Sequence, residues 1–115
     1  MKYHNRKTLY NGISFDSKKE AERYAELLML EKCNAIHNLQ RQVKYELIPK
    51  QELPIPVCRK GSWKHVERGI TYIADFVYEK DGRTIVEDVK GYHTEGYDIK
   101  RKLMLFIHGI QVIEI

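Results

Sequence analysis

Apolar and polar positions along the 115-residue chain fall into short blocks of two different periods. The run TLYNGISF (8–15) sets Asn11-Gly12 between two brief apolar stretches. That pair tolerates positive φ, so a small hairpin with a type I′ turn is expected. From SKKEAERYAELLMLEKCN (17–34) the period becomes helical, with Ala21, Tyr24, Leu27, Leu28 and Glu31 on one stripe. Ser17 stands where an N-cap belongs and Glu20 three residues later, which predicts a helix over about 18–33. QVKYELIP (42–49) alternates Val43, Tyr45 and Leu47 with polar residues and stops at Pro49, the pattern of a half-exposed strand.

Residues 49–69 hold all three prolines and the only tryptophan, Trp63, without sustained periodicity. They read as an irregular excursion from the core, a flap or a partner surface. ITYIADFVYE (70–79) and RTIVEDVKG (83–91) are rich in β-branched and aromatic residues, and Asp81-Gly82 between them marks a second hairpin. In YDIKRKLMLFIHG (97–109), Ile99, Leu103, Phe106 and Ile107 form a helical stripe ending at Gly109, and IQVIEI (110–115) closes as a strand. The expected architecture is a single α/β domain over residues 1–115: a central mixed sheet preceded by an N-terminal hairpin.

Composition narrows the class. A chain of this length with 43% hydrophobic residues can bury one modest core, and hence one site is expected. The formal charge of +4 favours a nucleic-acid partner only slightly, but its distribution adds more. Basic residues gather at 1–19 (Lys2, Arg6, Lys7, Lys18, Lys19), at 59–68 (Arg59, Lys60, Lys64, Arg68) and at Lys100-Arg101-Lys102, while acids sit in apolar strands. A basic surface around an acidic pocket suits a polyanion held near metal ions. Cys33, Cys58 and the five histidines show no zinc-like spacing. No apolar run approaches the roughly 20 residues needed to cross a bilayer, and no apolar signal segment opens the sequence, so a cytoplasmic location is expected.

The chemistry lies in the second hairpin. With Asp81-Gly82 as its two loop residues, Lys80 opposes Arg83, and the same count back from the turn sets Asp75 opposite Asp88 on one face. Their Cβ atoms would then stand about 4.5–5.5 Å apart, a like-charge pair that destabilises a sheet unless a cation lies between. Carboxylate oxygens are what Mg²⁺ and Mn²⁺ prefer. Lys90 projects from the same face roughly 7 Å further on, whereas Glu87 points away. Hard cation, acids and ammonium together suit phosphodiester hydrolysis.

These residues resemble the PD-(D/E)XK nuclease superfamily: Asp75 on one strand, Asp88-Val89-Lys90 on the next, and a helical Glu20 upstream. More closely, the run from GISFDSKKEAERY through YIADFVY and VEDVKG to KRKLMLF resembles a phage-encoded group within it, over about residues 8–115. The resemblance implies a restriction-endonuclease-like α-β-β-β-α-β core. It makes Asp75, Asp88, the Val89 carbonyl and Glu20 metal ligands for Mg²⁺ or Mn²⁺, and Lys90 the catalytic lysine. Ala74 stands where the signature has proline, and the second acid is Asp, which the pattern permits.

Glu20 also meets the needs of a capping box, but it lies on the core-facing stripe as well. Lys100, Arg101 and Lys102 are either a solvated helix face or phosphate contacts, with Lys100 the best placed. Gln42 and Tyr97 are further candidates to point at the site, and Trp63 suits stacking on a base or sealing a dimer. The small size resembles Holliday-junction resolvases, implying a homodimeric endonuclease selective for branched or duplex DNA in phage recombination or replication. The rival reading is a non-catalytic nucleic-acid-binding or phage-assembly module retaining the nuclease fold.

Overall fold

Turn chemistry sets the outline of the molecule. In the computed structural model, which describes residues 7–115, Asn11 and Gly12 adopt φ of 51° and 74°, and Asp81 and Gly82 adopt 52° and 74°. These are the paired left-handed conformations of a type I′ turn. A third such pair, Lys60 at 51° and Gly61 at 76°, closes a hairpin where an irregular segment was expected. Lys2, His4 and Arg6 lie outside the described residues.

In chain order the elements are β1 (Thr8–Tyr10), β2 (Ile13–Phe15), α1 (Lys18–Lys32), β3 (His37–Ile48), β4 (Gln51–Arg59), β5 (Ser62–Glu67), β6 (Ile70–Lys80), β7 (Arg83–Asp88), α2 (Glu95–His108) and β8 (Ile113–Glu114). The predicted first helix is found with its cap: the Ser17 side chain accepts from the Glu20 amide. The strand expected from residue 42 begins earlier, at His37, and the last strand is shorter than expected. The second helix starts two residues before Tyr97, because Thr94 caps it by accepting from the Tyr97 amide, and it stops at Gly109 with φ 67°.

The central sheet runs β3-β6-β7-β8, antiparallel except for the parallel β7–β8 pair, so it is mixed. Two apolar clusters cover it. Phe76 and Tyr78 pack with Phe15, Ala21, Leu27 and Ile36 on the α1 side, and Tyr72, Ala74, Val77 and Val86 pack with Tyr97, Met104 and Val112 on the α2 side. Strict alternation would keep Tyr72, Ala74, Phe76 and Tyr78 on one face. Instead β6 changes face between Ala74 and Phe76. β3 changes with it: Leu39 belongs to the α1 side, Val43 to the α2 side. At the crossover, Gln42 has φ 52°, and the Gln42–Asp75 position is missing from a register that otherwise runs from Arg41↔Phe76 to Val43↔Ala74.

The segment read as an irregular excursion is therefore corrected: β4 and β5 form a regular antiparallel ribbon. After a register shift between Glu46 and Ile48, the Ile48↔Ile70 pair is followed at the same offset by Gln51↔Glu67 and Glu52↔Val66. The ladder then slips before Val57↔Lys64, across Pro54 and Pro56. Proline has no amide to donate, which both breaks the ladder and hides the strand in the sequence. Gly69 sits at the base, where a Cβ would meet the Ile48 carbonyl oxygen at 2.6 Å. The ribbon touches little but itself. Accordingly the radius of gyration is 17.5 Å, against about 13 Å for a compact chain of this length.

One buried ion pair ties α1 to the sheet. The Arg23 guanidinium donates to both carboxylate oxygens of Glu87 at 2.8 and 2.6 Å, and the Tyr78 hydroxyl donates to the same group. The bond to Glu87 raises the Arg23 pKa further. Replacing one partner of such a pair strands the other charge in the core. Arg23→Ala should therefore lower unfolding stability by about 3 kcal/mol, read from urea denaturation. A loss under about 1 kcal/mol would mean that water already reaches Glu87.

Candidate active site

β7 alternates cleanly, and this separates two adjacent acids. Glu87 faces α1 and its arginine, while Asp88 turns to the other face with 3% of its surface exposed. Past the end of β7 the extended pairing persists, since the Ile115 amide donates to the Asp88 carbonyl and the Lys90 amide to the Ile115 carbonyl. Lys90 thus projects on the same side as Asp88, with its Nζ 3.2 Å from Asp88 Oδ1 and 4.1 Å from the centre of the Tyr97 ring.

Asp75 meets this group from β6. Its Oδ2 accepts from the Val89 amide at 2.9 Å and its Oδ1 from Gln42 Nε2 at 3.3 Å. Gln42 Nε2 also lies 3.4 Å from Glu20 Oε1, linking the helix acid to the strand acid. The Tyr72 hydroxyl donates to Asp88 Oδ2, and the Tyr97 hydroxyl donates to Glu114 Oε2 at 2.7 Å. Burial, helped by Asp88, holds the Tyr72 phenol protonated well above its usual range, so it stays a donor.

Glu20, Asp75, Asp88, Val89, Lys90 and Lys100 all line one open cavity of about 480 Å³, together with Tyr72 and Tyr97. Arg101 and Lys102 do not; they line a separate hollow beside β8. Both helices turn their N-terminal ends to the cavity, α1 through Ser17 and Glu20, α2 through Thr94, Gly96 and Tyr97. Helix N-termini carry partial positive charge, which favours anions.

Two carboxylates share this space at an electrostatic cost. Burial first, then the neighbouring Asp88, lifts the Asp75 pKa to about 7 against the opposing pull of the Val89 amide, and Glu20 adds to the rise. Burial likewise raises Glu20, with Asp16 and Asp88 contributing. A hard cation would relieve the repulsion, and the available donors, carboxylate oxygens, are those such an ion selects. Among the described residues, no three His, Cys, Asp or Glu side chains already stand together as a metal-binding group.

Of the residues singled out in the sequence, Asp75, Asp88, Val89, Lys90, Glu20 and Lys100 meet at one cavity. Gln42 and Tyr97, named as further candidates, also reach the site, whereas Tyr72 was not foreseen, since a tyrosine in an apolar strand looks like core packing. The reach of Gln42 depends on a left-handed backbone that only the fold reveals.

Fold and site together define a small α/β domain with a mixed sheet and a paired-carboxylate cavity at a strand crossover. The chain belongs to the family DUF1064, described as a protein of unknown function, whose model matches residues 1–109. Neither the curated proteins nor the solved structures contain a match.

The raised Asp75 pKa has a consequence for metal-free protein. Between about pH 4 and 7 the folded state holds a proton that the unfolded chain has released, so stability falls as pH rises through that window. In the presence of EDTA, the melting temperature of wild type should drop over this range more steeply than that of Asp75→Asn. Parallel curves would show that Asp75 keeps an ordinary pKa.

Proposed function

We propose that this chain is a Mg²⁺- or Mn²⁺-dependent endonuclease of restriction-endonuclease-like topology that hydrolyses DNA phosphodiester bonds. The observation that carries this reading is the meeting of Asp75 and Asp88 with the Lys90 ammonium in one open cavity. The core order α1-β3-β6-β7-α2-β8, with acid on β6 and acid-X-Lys leaving β7, agrees with the PD-(D/E)XK pattern.

Asp75, Asp88, the Val89 carbonyl and Glu20 are the groups that would hold the ion. Such an ion, when bound, offsets charge on the scissile phosphate and acidifies a water. The chain's own residues arrange the rest. Gln42 braces Glu20 against Asp75, and Tyr72 fixes one Asp88 oxygen while Lys90 approaches the other. Poised beside that carboxylate, the Lys90 ammonium can stabilise negative charge developing on phosphate oxygens or orient the attacking water. Lys100 and the two helix N-termini favour an anionic substrate at the mouth of the cavity. We assign the protein a structure-selective role on branched or duplex DNA, acting as a homodimer in the cytoplasm of a phage-infected host. Among the described residues, no helix is long and apolar enough to cross a membrane.

The rival is a non-catalytic nucleic-acid-binding or phage-assembly module that retains the fold. Metal-dependent product separates the two. Four-way junction, flap and plain duplex DNA incubated with Mg²⁺ should yield nicked product, and Asp75→Ala and Lys90→Ala should each lower the rate by about 10²-fold or more. No cleavage of any substrate, or equal cleavage by the variants, would leave the non-catalytic reading. Binding can be read apart from activity. Mn²⁺ should raise the melting temperature of wild type more than that of Asp88→Asn. An equal rise in both would remove the metal from this site.

A further inference from the structure

The β4–β5 ribbon contributes no side chain to either apolar cluster of the core. It packs on itself, and an isolated two-stranded ribbon is only marginally stable in water. Its large apolar side chains nevertheless face solvent: Ile55 is 77% exposed and Trp63 67%. An arm built in this way is shaped for something outside the chain.

Charge identifies the occupant. Residues 50–69 carry Lys50, Arg59, Lys60, Lys64 and Arg68 against Glu52 and Glu67, a net +3 of the whole chain's +4. Arg59 is satisfied by Glu67 at 2.8 Å, whereas Lys60 and Lys64 near the tip have no ion-pair partner among the described residues. Trp63 stands between them in sequence on the opposite face of β5 from Lys64. Exposed cations interleaved with an exposed aromatic ring suit phosphates and bases better than a second, equally basic copy of the same arm. A two-stranded ribbon also fits the major groove of B-form DNA, whereas A-form RNA buries its major groove too deeply to admit one.

We propose that the β4–β5 ribbon is a DNA-gripping arm: Lys60 and Lys64 contact backbone phosphates, and Trp63 packs against the nucleic acid. The inference rests on the DNA reading above and extends it to a surface remote from the carboxylates. Because β4 follows β3 and β5 leads into β6, the arm is joined through its base to the strands that carry Gln42 and Asp75, with one register shift between Glu46 and Ile48 on the way. Duplex held by the arm is thereby tethered to the strands that line the cavity.

The test uses full-length protein, EDTA and a labelled DNA duplex of about 20 base pairs, so that binding is read without cleavage. The emission of Trp63, the only tryptophan, should be quenched on adding DNA. In the Lys60→Ala/Lys64→Ala double variant, affinity should fall about tenfold or more. The slope of log K against log salt should shrink by roughly 1.8, about 0.9 per lost phosphate contact. Circular dichroism and the melting temperature should match wild type, as both lysines are exposed. Undiminished affinity and slope in the double variant, tighter binding of duplex RNA, or no DNA binding at all would each overturn the arm. So would sedimentation showing that the double variant loses self-association while its salt slope stays intact, which would assign the ribbon to a second copy. Asp75→Asn keeps the two readings apart, because it should abolish cleavage yet bind like wild type. A double variant with weakened binding in a protein that never cleaves would uphold the arm and sink the nuclease. Unchanged binding in a protein that cleaves would do the reverse.

Discussion

Two carboxylates held together by a two-residue turn are the constraint around which this domain is arranged. Like charges opposed across a ladder oppose pairing, and the structure surrounds them accordingly. The Val89 amide and Gln42 amide serve Asp75, and the Tyr72 hydroxyl and Lys90 ammonium serve Asp88. Even so, burial and mutual repulsion leave Asp75 near neutrality in its proton affinity. A fold that only needed stability would place apolar residues here. The strained left-handed backbone of Gln42, at the point where both strands change face, belongs to the same arrangement.

Neighbouring acids meet opposite ends on β7. Glu87 is neutralised by a bidentate arginine and a tyrosine, so its charge is absorbed into the architecture. Asp88, one residue on, faces the open cavity with a single ammonium beside it. Strand alternation alone sorts structural anion from available anion, and it does so because the hairpin register is fixed by Asp81-Gly82.

Much of this could be read before the coordinates. Turn dipeptides, the Ser17 cap and the alternation of β7 are local signals with local causes, and they carried Asp75, Asp88 and Lys90 to one place. What escaped was non-local. Prolines masked β4, although Lys60-Gly61 was itself a hairpin turn. The change of face at Gln42 and Asp75 cannot be inferred from period two, which predicts its absence. Tyr72 reveals its role only through the strand opposite, and the assignment of Arg101 and Lys102 to a different hollow from Lys100 depends on helix rotation.

The common offset of Ile48↔Ile70 and the base of the ribbon also bears on how the chain assembles. Pairing Ile48 with Ile70 directly would require closing a loop over residues 49–69, an entropic toll that grows with the length enclosed. With Lys60-Gly61 as a starting point, strand contacts can instead propagate inward from a microsecond-scale hairpin. The central ladder, distant in sequence, would then be reached as the continuation of a local event, with the shifts beyond Glu52 and beyond Ile48 as the points where pairing must re-register.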